Sequence, residues 1–399
     1  MQQPLTNPSQ KIITKTIWLL SLVSLFTDVA GEMLYPVTPL YLKKIGFSVL
    51  LIGILEGVAE AVAGLSKGYF GKLSDASGKR LPFIQFGYAL SALSRPMMAF
   101  IAHPLWIFFS RTMERLGKGI RTGARDALLS DEATPATKGT VFGFHRSMDT
   151  LGAVIGPLIA LLYLYFYPDN YVSLFYIAFI PGVLAIIITA IIREKKQPVK
   201  KLPAKRVKFF AIGHYWKKSH PEYKQLLTGL LLFALFNSSD VFLLLKMKET
   251  GMNDTAVIGV YVFYNLVFAV TAYPLGIMAD KIGLKKVYLT GLVLFAIVYT
   301  GFAINTNFVV FVALFFLYGV YAAATDGISK AWISNIADRK DTATAIGSYM
   351  GLQSIAALLA SSLTGFLWYR FGSMTTFLIT AGATFIVVAY LASVKFIKK

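Results

Sequence analysis

Acids and bases stand inside apolar runs of this 399-residue chain, and they recur at helical spacing. Asp28, Glu32 and Tyr35 follow i, i+4, i+7 in the run 17–42 and so share one helical face. Glu56 and Glu60 repeat the i, i+4 step in the next run. Arg95 follows, then Arg111, Arg115 and Lys118 with Glu114 beside them, continuing to Arg121 and Arg125. His145, Arg146 and Asp149 close the series. A charged side chain at membrane depth costs about 2–3 kcal/mol or more, so each asks for a partner or a task. A carboxyl in apolar surroundings can load and release a proton near neutral pH. Glu32 is the sharpest candidate for that, with Asp28 one turn away; Glu56, Glu60, His145 and Asp149 are further proton candidates. The bases suit another chemistry, since guanidinium forks grip carboxylate or phosphate.

Each cluster also has a plainer reading. Glu56 and Glu60 can pair with Arg111 or Arg115 to hold helices together, because buried charges need partners. Arg121 and Arg125 read as residues that snorkel or set topology. Asp126 and Asp131 fall near a joint, within reach of its bases. His145 is one of four histidines, and the chain has no cysteine. A soft-metal site is therefore not expected, and neither is any cofactor. Relay of a proton stays open to His145, because imidazole titrates near neutral pH.

The runs themselves must be the positioning elements. The chain is 56% apolar and 15% charged, against about 45–50% and about 25% for soluble domains. Disorder is excluded by the apolar content, and a disulfide scaffold by the lack of cysteine. The net charge of +19 would suit a soluble nucleic-acid binder, but the apolar content would not. Residues 1–16 are polar, and the run from Ile17 lacks a small-residue cleavage site, so no cleaved signal is expected. Twelve segments reach the length of about 20 residues that a membrane helix needs: 17–42, 46–70, 82–102, 104–124, 138–166, 171–192, 223–246, 255–278, 286–304, 307–332, 342–368 and 371–394. They are too long for barrel strands. The fold class expected is an all-α polytopic membrane protein.

Lys and Arg gather in alternate joints. Lys72, Lys79 and Arg80 occupy one, Lys281, Lys285 and Lys286 another, and Arg339 and Lys340 a third. Joints on the other side are poor in bases, apart from Lys43 and Lys44. Positive charge marks the cytoplasmic side, so both termini are expected there, in the plasma (bacterial inner) membrane. The joint 193–224 carries eleven bases against two acids, a net +9 that is close to half of the total. It reads as a linker that fixes topology and meets anionic lipid heads. Three units follow: 1–192 with six helices, the basic linker 193–222, and 223–399 with six more.

The two halves repeat one pattern. Gly71-Lys-Leu-Ser-Asp75-Ala-Ser-Gly78-Lys-Arg80 follows the second span, and Gly276-Ile-Met-Ala-Asp280-Lys-Ile-Gly283-Leu-Lys285 follows the eighth, 205 residues later. The glycines permit tight turns and close approach. The aspartates can accept from N–H groups at a helix start, and Arg80 can reach a carboxylate on a neighbouring helix. Such a cluster can latch one conformation. Repeated halves in a helical membrane protein point to a transporter with its site between them near the midplane.

Both copies of this pattern resemble the cytoplasmic signature of the major facilitator superfamily, and the resemblance runs over essentially the whole chain. It implies twelve helices in two pseudo-symmetric six-helix bundles that rock about a central cavity. Glu32-Met-Leu-Tyr35-Pro36 further resembles the acidic-Met-x-x-Pro signature of drug/proton antiporters, which implies a proton and substrate-cation role for Glu32. Arg115-Leu-Gly-Lys118-Gly119 is similar to a proton-transfer motif, with Lys118 where glutamine is usual. Gly152-Ala-Val-Ile-Gly156-Pro157 is similar to the antiporter Gly-x-x-x-Gly-Pro, and small residues there allow close packing while proline allows a bend. The reading that follows is proton-coupled efflux of amphipathic or cationic compounds by a monomer. The alternative is proton-coupled uptake of an anionic metabolite or metal chelate. Substrate contacts are expected from Glu32, Tyr35, Arg111, Arg115, Arg146, Asp240 and Tyr264, with Tyr261 and Phe263 near. The second half, with Asp240, Asp326 and Lys330 as its few membrane charges, would supply an apolar wall.

Overall fold

The computed structural model describes residues 12–394, apart from 36, 48, 195–210 and 253. Fifteen α-helices occupy the described residues. In the first half these are α1 (Lys15–Leu34), α2 (Val37–Lys44), α3 (Val49–Ser77), α4 (Leu81–Phe100), α5 (Pro104–Asp131), α6 (Lys138–Phe166), α7 (Tyr171–Ile177) and α8 (Phe179–Ile191). The short α9 (Ala211–Lys218) precedes the second half. That half holds α10 (Pro221–Ala234), α11 (Val241–Glu249), α12 (Asp254–Ile282), α13 (Leu284–Ile304), α14 (Phe308–Ile336) and α15 (Thr342–Ser393). The last is two helices in one line, broken at Gly372, where φ is 78°. The linker bases Lys195, Lys196, Lys200, Lys201, Lys205, Arg206 and Lys208 lie outside the described residues.

Local sequence accounts for the helix starts. The Thr14 hydroxyl accepts from the Ile17 N–H, and the Asn307 side chain from the Val309 N–H, each satisfying a donor left free in the first turn. Pro104 and Pro221 open α5 and α10, where a missing N–H costs nothing. Seven helical segments are long and apolar enough by themselves to cross a membrane. Helix α5 is not among them, because its interior face carries the charges described below.

Three expected spans turn out to be broken, the sixth at Ala178 between α7 and α8. The first run splits into α1, which ends at Leu34, and α2, which begins at Val37. The seventh splits into α10 and α11 across Leu235–Asp240, where the Ser239 hydroxyl accepts from the Val241 N–H at 3.3 Å. The breaks in the first and the seventh stand at matching places in the repeat.

Two pseudo-symmetric six-helix bundles result. In the first, α1 packs on α6, and α5 on both α3 and α4; in the second, α14 packs on α12 and α13. The bundles meet along two seams, α3 with α15 and α6 with α12. The second half has an aromatic interior. Phe295 stacks on Tyr299 at 4.1 Å, Phe302 on Phe311 at 5.0 Å, and Phe377 meets Tyr299 edge-on at 5.4 Å.

Both seams are tight at the end that carries the termini. A Cβ on Gly139 would lie 2.6 Å from the Gly276 carbonyl, and one on Gly123 would lie 3.1 Å from that of Ala343. Gly71 faces Ala343 and Gly347 faces Lys67 in the same way. Toward the other end, Gly57 of α3 and Gly259 of α12 face open space. The halves are therefore clamped at the terminus-bearing end and splayed at the opposite one.

Candidate functional site

The clamp is built from the repeated motif. Asp75 lies beyond the 46–70 span and accepts from the N–H of Ala343 (3.3 Å) and of Thr344 (2.6 Å), and from the Thr344 hydroxyl (2.6 Å). Those groups open α15, whose first N–H groups have no partner within the helix. Asp280 does the same for α6, accepting from Gly139 (2.7 Å) and Thr140 (2.6 Å). Each half thus caps a helix of the other. Gly78 and Gly283 turn the chain after each aspartate at φ 64° and 106°, values that favour glycine.

The basic ends of the two motifs differ. Arg80 is buried, paired with Asp75 and 3.6 Å from Asp131 of α5. Its N–H donates to Glu194 at 2.8 Å, so the start of the linker is pinned to the latch. Lys285, in the Arg80 position of the repeat, reaches instead to the carbonyls of Ala392 (2.9 Å) and Val394 (2.7 Å). Burial pushes the Asp75 carboxyl up to about 6, although Arg80 and the Thr344 donors pull the other way.

Above the latch lies a polar recess of about 40 Å³. Asp28, Gly31, Glu32 and Tyr35 of α1 line it, with Ser91 and Arg95 of α4 and Arg111, Glu114, Arg115, Lys118 and Arg121 of α5. Helix α1 reaches it because α6 is smooth where the two cross. Gly152 abuts the Leu25 carbonyl and Gly156 that of Val29, each leaving 2.6 Å for a Cβ. Pro157 is carried inside α6 one residue further on.

The charges divide into two groups. In the recess, Glu114 pairs with Arg111 and lies 3.6 Å from Arg95, while Arg115 lies 3.6 Å from Glu60. Glu32 faces Lys118 and Arg115. Beside the recess, toward the latch, the carboxyl of Asp28 lies against that of Asp149. Asp149 also takes the Ser24 hydroxyl and pairs with Arg146 at 2.5 Å. Arg146 then crosses between the halves to Asp326 of α14 at 2.5 Å, over the Phe268 ring. Lys330 of α14 makes the return crossing to Asp126 of α5 at 3.6 Å.

Several expectations change. Arg121 and Arg125 do not snorkel. Arg121 is buried over the Tyr88 ring and donates to Ser91 at 2.7 Å, and Arg125 pairs with Asp126 at 2.9 Å. Asp126 is fully buried between Arg125 and Lys330 rather than in a joint, whereas Asp131 does meet the motif base Arg80. Asp326 and Lys330 pair across the halves with Arg146 and Asp126 and are not part of a plain apolar wall. Ser24 went unnoticed in the sequence, although it continues the Asp28 face one turn back. Arg111 is engaged by Glu114, so Glu60 pairs with Arg115 alone among the described ion pairs. The Glu56 side chain lies outside the described residues.

Other candidates stand apart from the recess. His145 is buried, with Nδ1 3.4 Å from the Ser21 hydroxyl and Nε2 without a hydrogen-bond partner among the described residues. Asp240 stands at the break before α11, in the second half. Tyr264 joins a ring cluster there, 5.9 Å from Tyr261 and 5.1 Å from Tyr318. No group of three or more His, Cys, Asp or Glu suited to a metal ion occurs among the described residues.

Comparison with known proteins agrees with this frame. Residues 20–261 and 226–398 match the family model of the Major Facilitator Superfamily. The MFS-type transporter MJ1317 of Methanocaldococcus jannaschii is 31% identical over 375 residues, 92% of each chain. The multidrug resistance protein MdtG of Klebsiella pneumoniae is 28% identical over 149 residues, 36% of each chain. Among solved structures, the human organic anion transporter MFSD10 superposes with a TM-score of 0.79 at 15% identity, over 96% of this chain and 100% of its own. FucP in the outward conformation gives 0.78 at 13% identity, over 96% and 99%. At such identities these two likenesses concern the fold alone.

Proposed function

The chain belongs to the major facilitator superfamily and is a membrane transporter rather than an enzyme; from that premise we propose that it couples protons to the movement of a small anionic solute. One observation carries the choice of sign. The recess gathers five bases, Arg95, Arg111, Arg115, Lys118 and Arg121, against three acids, Asp28, Glu32 and Glu114. A cation entering there would meet net repulsion, and a carboxylate or phosphate would meet guanidinium forks. The recess is small enough to take the charged end of a solute.

Coupling follows from competition. While Glu32 is ionised it occupies Lys118 and Arg115. A proton on Glu32 releases those bases, and an anion takes its place. When the proton leaves on the other side, Glu32 reclaims them and expels the anion. Proton and anion then travel together, which is symport. With both termini in the cytoplasm, the clamped end faces inward and the splayed end outward. The family's alternating access would open the Asp75 and Asp280 latches in exchange.

Efflux of amphipathic or cationic compounds is the second reading. The Glu32-Met-Leu-Tyr35-Pro36 run and the partial likeness to MdtG favour it. Purified protein in liposomes separates the two. Organic anions and organic cations are first screened for thermal stabilisation, and the hits are then driven by an imposed pH gradient. Anion uptake with an inward proton gradient, lost in Glu32→Gln, supports symport. Stabilisation by cations alone, with transport against the proton gradient, would favour antiport.

A further inference from the structure

Away from the central site, a second cavity of about 340 Å³ opens beneath α9. Its walls are Tyr215 and Trp216 of α9, Tyr223 and Leu227 of α10, and Leu352 of α15, with Lys217 at its mouth. Its one small polar lining residue is Ser348, buried to 1% exposure, whose hydroxyl has no hydrogen-bond partner among the described residues. An apolar chamber with one unsatisfied hydroxyl has the make-up of a ligand site, and its volume falls within the usual range of about 300–1,000 Å³.

The mouth has a definite charge. Lys217 and Lys218 end α9 and are exposed. Lys224 reaches back to the Lys217 carbonyl at 3.4 Å, and Lys72 of α3 lies near enough to Lys218 for their charges to interact. Trp216 is 38% exposed at the rim, as tryptophan is at a membrane–water boundary. We propose that this cavity holds an anionic phospholipid, with an acyl chain among Tyr223, Leu227 and Leu352 and the phosphate against Lys217, Lys218 and Lys72.

Such a lipid would bear on the latch. Helix α9 packs on both α3 and α15 and so bridges the halves. Ser348 lies one helical turn beyond Thr344, which Asp75 holds. A lipid seated here fills the space behind the closed seam and favours the clamped end. The proposal needs only membrane placement and stands whatever solute the central recess takes.

The full-length protein is purified, and native mass spectrometry is read after exchange into phosphatidylglycerol or phosphatidylcholine vesicles. One phosphatidylglycerol should stay bound to wild type and raise its unfolding midpoint over that in phosphatidylcholine. Leu352→Trp, which fills the chamber, should lose that lipid. Ser348→Leu serves the same end if Leu352→Trp does not fold. Lys217→Gln and Lys218→Gln should each lower the preference for phosphatidylglycerol about fivefold. Equal retention of both lipids by wild type, or unchanged phosphatidylglycerol retention in the filled variant that folds, overturns the proposal, as does a fatty acid or the transported solute in its place.

Discussion

In the first half, acids and bases run through α1, α4, α5 and α6; in the second, the corresponding interior is packed with rings. Yet the two halves share one frame. Both break their first span at the same place, both turn on a left-handed glycine after the motif aspartate, and both cap a helix of the other half. The difference teaches where function entered a duplicated scaffold. Conformational change needs two halves that move alike, so the latches match. Recognition and proton handling need one cluster of charge, and a second would only add desolvation cost. The division has one exception, since Asp326 and Lys330 of the second half pair with Arg146 and Asp126 of the first.

The contrast should appear first in stability. Phe377 is fully buried against Tyr299 and Trp368. Phe377→Ala should cost about 3–5 kcal/mol, as such truncations do in packed cores. Lys118→Gln, on an exposed site facing the cavity, should stay within about 0.5 kcal/mol while impairing transport. Thermal unfolding of the purified variants reads both. An equal loss of stability in the two would break the comparison.

Transport should show the reverse ranking. Glu32→Gln should lower proton-driven uptake about 100-fold, or about 2.7 kcal/mol. Asp240→Asn, at the matching break of the second half, should keep most of the activity. Asp326→Asn should be severe for another reason, since it leaves Arg146 without its partner across the seam. Exchange in the absence of a pH gradient tells the cases apart. Glu32→Gln should still exchange solute for solute, and Asp326→Asn should not close properly and should leak.

The frame was legible in the sequence because its signals are local. Gly71, Asp75, Gly78 and Arg80 stand within ten residues of one another, and their copy lies at a fixed distance. The face of α1 was legible for the same reason, as a period of 3.6 over Asp28, Glu32 and Tyr35. What could not be read were pairings between distant segments. Arg146 and Asp326 are 180 residues apart, and nothing in either neighbourhood names the other. Arg121 and Arg125 misled because a base near the end of an apolar run looks like a topology residue. Only the approach of Tyr88, Ser91 and Asp126 turns them inward. The breaks in the first and seventh spans were hidden by hydropathy, which counts apolar residues and does not see where a helix stops.

The two latches sharpen the comparison at a smaller scale. Asp75 accepts from the start of α15 and also pairs with Arg80, whereas Asp280 accepts from the start of α6 and has no ion pair among the described residues. Asp75→Ala should therefore open the clamped end more than Asp280→Ala, by about fivefold in population, taking about 1 kcal/mol for the added partner. The chain has no cysteine, so a single Ala272→Cys, buried in the α6–α12 seam, gives a clean labelling rate for opening. Equal rates in the two variants would mean that the extra partners of Asp75 do not hold the gate.

The smallest effect is a pH response confined to the first latch. Asp75 binds its proton with a pKa of about 6 when the seam is closed. Once the seam opens and water reaches the carboxyl, an ordinary value near about 3.9 applies. The closed form thus holds the proton more tightly, and acid favours closure. That preference is full below the ordinary carboxyl range and fades as pH rises through about 6. Going from about pH 7 to about pH 5.5 on that face should raise the closed-to-open ratio roughly fourfold. Labelling at Ala272→Cys should slow by that factor and lose the dependence in Asp75→Asn. Faster labelling in acid would mean that the hydrogen bonds of the ionised carboxylate outweigh its burial, and that the latch is released by protons instead of being set by them.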